Sequence, residues 1–443
     1  MSWIQGLQPK HIQTLVPYAS AGRSNLEGEI WLNANENPYE RGAGGLSSSN
    51  NRYPQFQPAE LLKAYANYAG CSTEQLIVTR GIDEGIDLLI RAFCEPGKDS
   101  IVYTPPTYGM YDISAKTLGV KTIAVPLKSD FGLDVEALET TIQTGSKSDT
   151  SRASVTDSTS VFGTSPDIEL AEMSGTINQG MEISGASASG TPPDIELAEM
   201  PGVLDQEMEA SASSATELAT DTEPAEVPSP TPKLIFLCSP NNPTGNLLNR
   251  EDVLKVLEMA EGKSIVILDE AYIEFNPEAS FINDLTEYDN LVVARTLSKA
   301  FGLAGLRTGF LIANPEIISI LQKVSAPYPI PVPIVEMATE ALNNEGVSRM
   351  KSEVKAIIQS RSTLEAALND LEFVKQVYPG DANFLLLEVA DVQEVMNYLK
   401  SRGIIIRDQS HQLNLENCIR ISIGTEAEQA ELLKVLKNYG EQA

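Results

Sequence analysis

The sequence predicts an α/β fold: a large domain built on a mostly parallel sheet with helices on both faces, followed by a smaller α/β C-terminal domain. Short apolar runs at 75–79, 99–103, 121–127, 233–238, 264–268, 290–295 and 307–313 alternate with stretches of helical periodicity such as 83–94. That alternation is the signature of a parallel sheet covered by crossover helices. Polar or turn-forming residues follow directly on several of these runs, where open α/β sheets gather their ligands. After Ala326-Pro327-Tyr328-Pro329, a helix-rich stretch leads into short strands at 383–389, 403–407 and 418–423. The expected division is an N-terminal arm (1–32), a large domain (33–144 and 233–324), an insertion (145–232) and a small domain (325–443).

The insertion breaks the alternation. Residues 145–232 hold 16 acidic and 2 basic residues, so −14 of the chain's net charge of −29 sits there, and Phe162 is their only aromatic. Low hydrophobicity with high net charge predicts disorder, because too little apolar surface is available to offset chain entropy. Within it Pro166-Asp167-Ile168-Glu169-Leu170-Ala171-Glu172-Met173 recurs 27 residues later, beginning at Pro193; two copies are too few for a solenoid. The segment lies between a helix at 135–143 and a strand at 233–238, where it replaces a surface loop. Such insertions are cheap, since closure entropy grows only logarithmically with length.

Composition narrows the function classes. The chain has 443 residues, enough for more than one domain. No apolar run approaches the ~20 residues needed to cross a bilayer, and the first residues lack the basic-then-apolar pattern of a secretory signal. Four cysteines without a Cys-x-x-Cys pair suggest reduced thiols in a cytoplasmic protein. Two distant histidines, His11 and His411, form no zinc pattern. The acidic balance and the lack of a basic stripe argue against nucleic acid.

Four segments carry chemistry. The run 290–295 delivers Lys299 into a turn of small residues, Thr296-Leu297-Ser298-Lys299-Ala300-Phe301-Gly302, with Arg307 eight positions on. A lysine amine attacks carbonyls when burial or nearby cations favour its neutral form. The buried run 264–268 ends in Asp269-Glu270-Ala271-Tyr272, placing a carboxylate and a phenol at a strand end. Lys233–Cys238 runs into Ser239-Pro240-Asn241-Asn242-Pro243-Thr244-Gly245, a non-helical turn that presents the Asn242 amide. Arg80-Gly81 precedes a helical run. The backbone N–H groups of Ile82, Asp83 and Glu84 then form an anion site, which Thr296, Ser298 and the bidentate cation Arg307 complete.

Taken together, these segments resemble histidinol-phosphate aminotransferases, of the fold-type-I pyridoxal-phosphate enzymes. The resemblance runs from about residue 31 to 439, apart from the insertion. It includes Asn33-Ala34-Asn35-Glu36-Asn37-Pro38, Asn51-Arg52-Tyr53-Pro54, Pro105-Pro106-Thr107-Tyr108-Gly109-Met110-Tyr111 and Ala326-Pro327-Tyr328-Pro329. It implies that Lys299 holds pyridoxal 5'-phosphate as a Schiff base, Asp269 pairs with the ring nitrogen, and Asn242 and Tyr272 serve the ring oxygen. Tyr108 would stack on the ring, and Tyr53 would reach the phosphate of a neighbouring subunit in a homodimer. Arg420 and Arg407, with Tyr18 and Asn37, match the substrate-binding positions. Ile82 stands where many relatives carry a small residue; since backbone N–H groups act there, little should change.

The reaction implied is transfer of an amino group between L-histidinol phosphate and 2-oxoglutarate, giving imidazole-acetol phosphate and L-glutamate, run in reverse in histidine biosynthesis. The competing readings are an aromatic or broad-specificity aminotransferase of the same fold, a pyridoxal-phosphate decarboxylase of a phosphorylated amino acid, and a non-enzymatic regulator. Removing residues 145–232 leaves 355, sufficient for a complete two-domain enzyme. A chain lacking residues 146–231 should therefore fold and retain turnover within about twofold of the full chain; loss of folding or activity would give the insertion a necessary role.

Overall fold

The computed structural model describes residues 2–17, 32–39, 48–146 and 230–441. Tyr18 and most of the acidic insertion, including both copies of its repeat, lie outside the described residues. Eleven strands are present among the described residues: β1 (Leu76–Thr79), β2 (Ser100–Tyr103), β3 (Lys121–Ala124), β4 (Leu234–Cys238), β5 (Ile265–Asp269), β6 (Leu291–Thr296), β7 (Gly309–Ala313), β8 (Val374–Tyr378), β9 (Phe384–Val389), β10 (Arg407–Asp408) and β11 (Cys418–Ser422).

The first seven form one sheet in the order β1-β7-β6-β5-β4-β2-β3. Pairing is parallel from β6 through to β3, while β7 runs antiparallel to both of its neighbours. Strand order reverses between β2 and β4, the topological switch point at which such sheets open a crevice. Every residue of β4, β5 and β6 is buried, as expected of strands covered on both faces. Alternate residues face opposite layers. Leu234, Phe236, Ile265 and Ile267 pack with Ile86, Leu89 and Phe93 of the helix Gly81–Phe93. Ile235, Leu237, Val266 and Leu268 pack with Val253, Val256 and Leu257 of the helix Arg250–Ala260.

The second sheet is antiparallel, in the order β10-β11-β9-β8. Leu385, Leu387, Ile419 and Ile421 join Leu364, Leu432 and Leu436 from the flanking helices in a third apolar cluster. No helix among the described residues is long and apolar enough to cross a membrane.

Three details depart from the sequence expectations. The run expected as a strand at 403–407 pairs only from Arg407, which sits opposite Arg420. Before it, Ile404 and Ile406 pack against the third cluster while Ile405 is exposed, so the alternation is real but finds no partner strand. The run expected to extend to 127 ends as a strand at Ala124, although Leu127 still donates to the Pro105 carbonyl at 2.8 Å. Strand β8 was not expected: Lys375 and Gln376 are exposed in it, and its apolar signal is correspondingly weak.

Gly309 opens β7 against the start of the helix Gly81–Phe93. A Cβ there would stand 2.6 Å from the Gly81 carbonyl carbon and 2.7 Å from the Ile82 nitrogen. Backbone cannot yield as a side-chain tip can. Gly309→Ala should destabilise the chain by about 1–3 kcal/mol, read as a lowered thermal midpoint. It should also weaken any anion held at that helix start.

Candidate active site

An open cleft is lined by Ile82, Asp83, Tyr108, Cys238, Asn242, Asp269, Ala271, Tyr272, Thr296, Ser298, Lys299 and Arg307. Ten of these are residues that the sequence singled out, drawn from five separate segments. They converge because each segment leaves the carboxyl end of a strand on the same edge of the sheet.

Asp269 closes β5 and is 3% exposed. Its Oδ1 accepts the Ala271 N–H at 3.0 Å and its Oδ2 accepts the Tyr111 hydroxyl at 2.6 Å. Burial pushes the carboxyl up to about 6, against the opposing pull of those two donors. Lys299 is half-buried, with its Nζ 5.3 Å from the centroid of the Tyr272 ring. Burial first, and then the Arg420 guanidinium, hold its amine below the ordinary lysine value, which enlarges the neutral, nucleophilic fraction. Phe384 of β9 supports both neighbours: Tyr272 packs edge-on against it at 5.3 Å, and the Arg420 guanidinium lies 5.2 Å over its ring.

The other end of the cleft is built on the helix Gly81–Phe93. Gly81 begins it at φ +78°, and a Cβ there would come within 2.9 Å of Arg307 Nη2. The first N–H groups of a helix lack carbonyl partners four residues back and carry its positive pole, so Ile82, Asp83 and Glu84 present donors. The side chain of Glu84 folds back onto Arg80, the residue preceding the helix, accepting from its N–H at 2.6 Å and Nη2 at 2.7 Å. Asp83 accepts from Tyr108 Oη and from Arg307 Nη2, each at 2.8 Å. Thr296 Oγ1 donates to Ser298 Oγ at 2.9 Å, which turns two hydroxyls towards the same end.

Asn242 is held from two sides. Its Oδ1 accepts from Arg420 Nη1 across to the second sheet. Its neighbour Asn241 is buried, donating to the Pro106 carbonyl at 2.8 Å and accepting from Thr107 Oγ1 at 2.7 Å. The loop after β2, carrying Tyr108, and the turn after β4, carrying Asn242, are thereby joined across the switch point.

The remaining expected residues lie elsewhere. Arg407 is exposed and opposite Arg420 in the β10–β11 pair. Tyr53 does not line the cleft; it is 55% exposed and stacks on Tyr328 at 4.4 Å. Asn37 bonds locally, its Oδ1 accepting from the Tyr39 N–H at 2.9 Å. Sequence reasoning did not single out Tyr111, Asn241, Cys238 or Ala271. Tyr111 had a signal: three residues after Tyr108, at the start of a helix, it falls near Tyr108 in space.

Beneath Asp269 and Thr296, their neighbours Glu270 and Arg295 form a buried ion pair at 2.9 Å. Ser280 Oγ donates to Glu270 at 3.0 Å and accepts from Arg295 at 2.6 Å.

The description of aminotransferase class I and II fits residues 27–157 and 206–436. The chain belongs to that family and is a pyridoxal-phosphate-dependent aminotransferase. Its relatives include the histidinol-phosphate aminotransferase of Pectobacterium carotovorum subsp. carotovorum (strain PC1), 38% identical over 438 residues, covering 99% of this chain and 98% of the relative. Among solved structures, a histidinol-phosphate aminotransferase from Clostridium acetobutylicum superposes with a TM-score of 0.65 at 21% identity, covering 89% of this chain and 92% of that one. Another, from Sinorhizobium meliloti and in complex with pyridoxal-5'-phosphate, has a TM-score of 0.61 at 20% identity, covering 88% and 84%.

Glu274 lies close to the ion pair, with Tyr68 Oη 3.4 Å from its Oε1. Burial, opposed by Arg295, pushes its carboxyl up to about 7 from an ordinary 4.5. The folded chain therefore keeps a proton that the unfolded chain releases. The resulting stability is fully present below pH 4.5 and is lost as pH rises towards 7. Glu274→Gln should flatten that slope by on the order of 2 kcal/mol between pH 5 and 8, measured as urea midpoints of the two proteins.

Proposed function

We propose that this aminotransferase acts on L-histidinol phosphate and 2-oxoglutarate, through Lys299, in the direction used for histidine biosynthesis. One observation carries the reading most strongly: Arg420 reaches from the second sheet to Asn242, beside Lys299, with Arg407 on the adjacent strand. Two guanidinium groups on paired strands, one of them reaching the Asn242 turn, suit a phosphate in one half-reaction and a dicarboxylate in the other. The full-length relative named for that activity supports the same substrate pair.

The residues fit pyridoxal phosphate. The missing Cβ of Gly81 lets the Arg307 guanidinium lie against the helix start, since a Cβ there would come within 2.9 Å of Nη2, and Asp269 is a buried carboxylate whose two donors leave it further acceptor capacity. Bound there, the cofactor supplies an electron sink for charge developing at the substrate α-carbon. The first-turn N–H groups, Thr296, Ser298 and Arg307 hold its phosphate. Asp269 pairs with the protonated ring nitrogen, Asn242 and Tyr272 serve the ring oxygen, and Tyr108 covers the ring.

Lys299 would be both the attachment amine and the general base. Its Nζ would accept the substrate α-proton, a role that its depressed basicity suits. Arg420 and Arg407 would fix the anionic end of the substrate, and the family resemblance assigns Asn37 and Tyr18 to substrate binding as well. We assign Tyr53 to the partner's cofactor phosphate in a homodimer, a role consistent with its exposure outside its own cleft. Four unpaired cysteines support a cytoplasmic setting.

The test is a half-reaction. L-histidinol phosphate added to the holoenzyme without an oxo-acid should bleach the visible cofactor band, and 2-oxoglutarate should restore it. An unchanged band would reject the named donor, and release of carbon dioxide would reveal a decarboxylase. In steady state, Arg420→Ala should raise KM for both anionic substrates by about 100-fold or more.

A further inference from the structure

The cleft contains one contact that the cofactor assignments leave unused: the hydroxyl of Tyr111, buried at the start of the helix Met110–Thr117, lies 2.6 Å from Asp269 Oδ2. The phenol is fully buried. Its ring is stacked on Phe236 of β4, with centroids 4.9 Å apart and planes 15° apart. It also meets Tyr108 edge-on at 5.7 Å and 82°. Two rings from different elements therefore fix its direction, and the hydroxyl points at the carboxylate end of β5. A short O–H···O⁻ bond in a dry site favours the charged acceptor.

We propose that Tyr111 is a positioning residue for the cofactor, holding the Asp269 carboxylate ionised and aimed at the ring nitrogen. The inference rests on the assignment of Asp269 to that nitrogen. Burial drives Asp269 towards its protonated form, and Tyr111 is the first of the opposing influences, ahead of the Ala271 N–H and the Lys299 charge. Asp83 pushes in the same direction as burial. The other titratable groups facing this carboxylate are Cys238, Tyr272 and Tyr108, all of which are uncharged at neutral pH because burial raises each of them. Lys299 is committed to chemistry. Among the side chains around Asp269, Tyr111 is thus a permanent donor whose contribution survives every stage of the reaction.

A carboxylate that lost this bond would hold the ring nitrogen's proton less firmly. Ring-nitrogen protonation and cofactor affinity should then fall together, while the fold, which needs only the ring of Tyr111, should persist.

The experiment compares full-length parent, Tyr111→Phe, Asp269→Asn and the double variant. Each is titrated with pyridoxal phosphate to obtain Kd. The 15N shift of ring-labelled cofactor is followed from pH 6 to 9. Tyr111→Phe should bind about tenfold more weakly and lose ring-nitrogen protonation at a lower pH than the parent, with the cofactor-free thermal midpoint nearly unchanged. In the Asp269→Asn background, adding Tyr111→Phe should cost less than twofold, because the charged acceptor has gone. An unaltered Kd and 15N titration in Tyr111→Phe would overturn the proposal. So would an equal loss in both backgrounds, which would assign the effect to packing even if Tyr111→Phe alone were destabilised. An Asp269→Asn protein with parental 15N behaviour would instead refute the Asp269 assignment itself.

Discussion

The parallel pairing of β5 with β6 is the constraint on which the site depends. Register places Asp269 beside Ala294, and the Glu270 N–H donates to the Ala294 carbonyl at 2.9 Å as the strands part. Asp269 and the turn leading to Lys299 thus leave adjacent strands at the same height. Below them the Glu270–Arg295 pair, satisfied by Ser280 and by the Phe281 N–H at 2.7 Å, closes the same junction on the opposite face. A buried pair of this kind is weak evidence for net stability, because desolvation offsets much of the attraction. Its geometry nonetheless fixes two strand ends relative to each other, and Asp269 and the turn leading to Lys299 follow on those ends.

Electrostatics then separates the cleft into zones. Arg420 and burial hold Lys299 below its ordinary basicity, while the Tyr111 and Ala271 donors oppose the burial that raises Asp269. At the other end, Arg307 and the helix start face Asp83, which also receives the Tyr108 hydroxyl. The Lys299 amine, the Asp269 carboxylate and the start of the helix Gly81–Phe93 are therefore set up by neighbours on different elements, and Asn241 links the loops at the switch point.

Much of this was legible in the sequence for a physical reason. Strands buried on both faces read as continuous apolar runs, and parallel topology sends whatever follows them to one edge; Lys299, Asp269, Asn242 and Gly81 could therefore be gathered before any coordinates. What escaped depends on contacts across the chain. Tyr111 reaches Asp269 over a separation of 158 residues, and Asn241 joins Thr107 over 134; local periodicity carries no trace of either. The run at 403–407 misled because alternation signals an extended chain and says nothing about whether a partner strand stands beside it. The weakly apolar β8 was missed for the complementary reason, having a partner in β9 but two exposed polar residues.

The central claim is that this junction delivers Lys299, rather than another lysine, to the cofactor aldehyde. Reducing the holoenzyme with borohydride, digesting it and mapping the pyridoxyl-modified peptide by mass spectrometry tests it directly. One stoichiometric adduct is expected, on Lys299 in the peptide spanning Thr296 to Arg307. An adduct on a different lysine, or none despite bound cofactor, would contradict it.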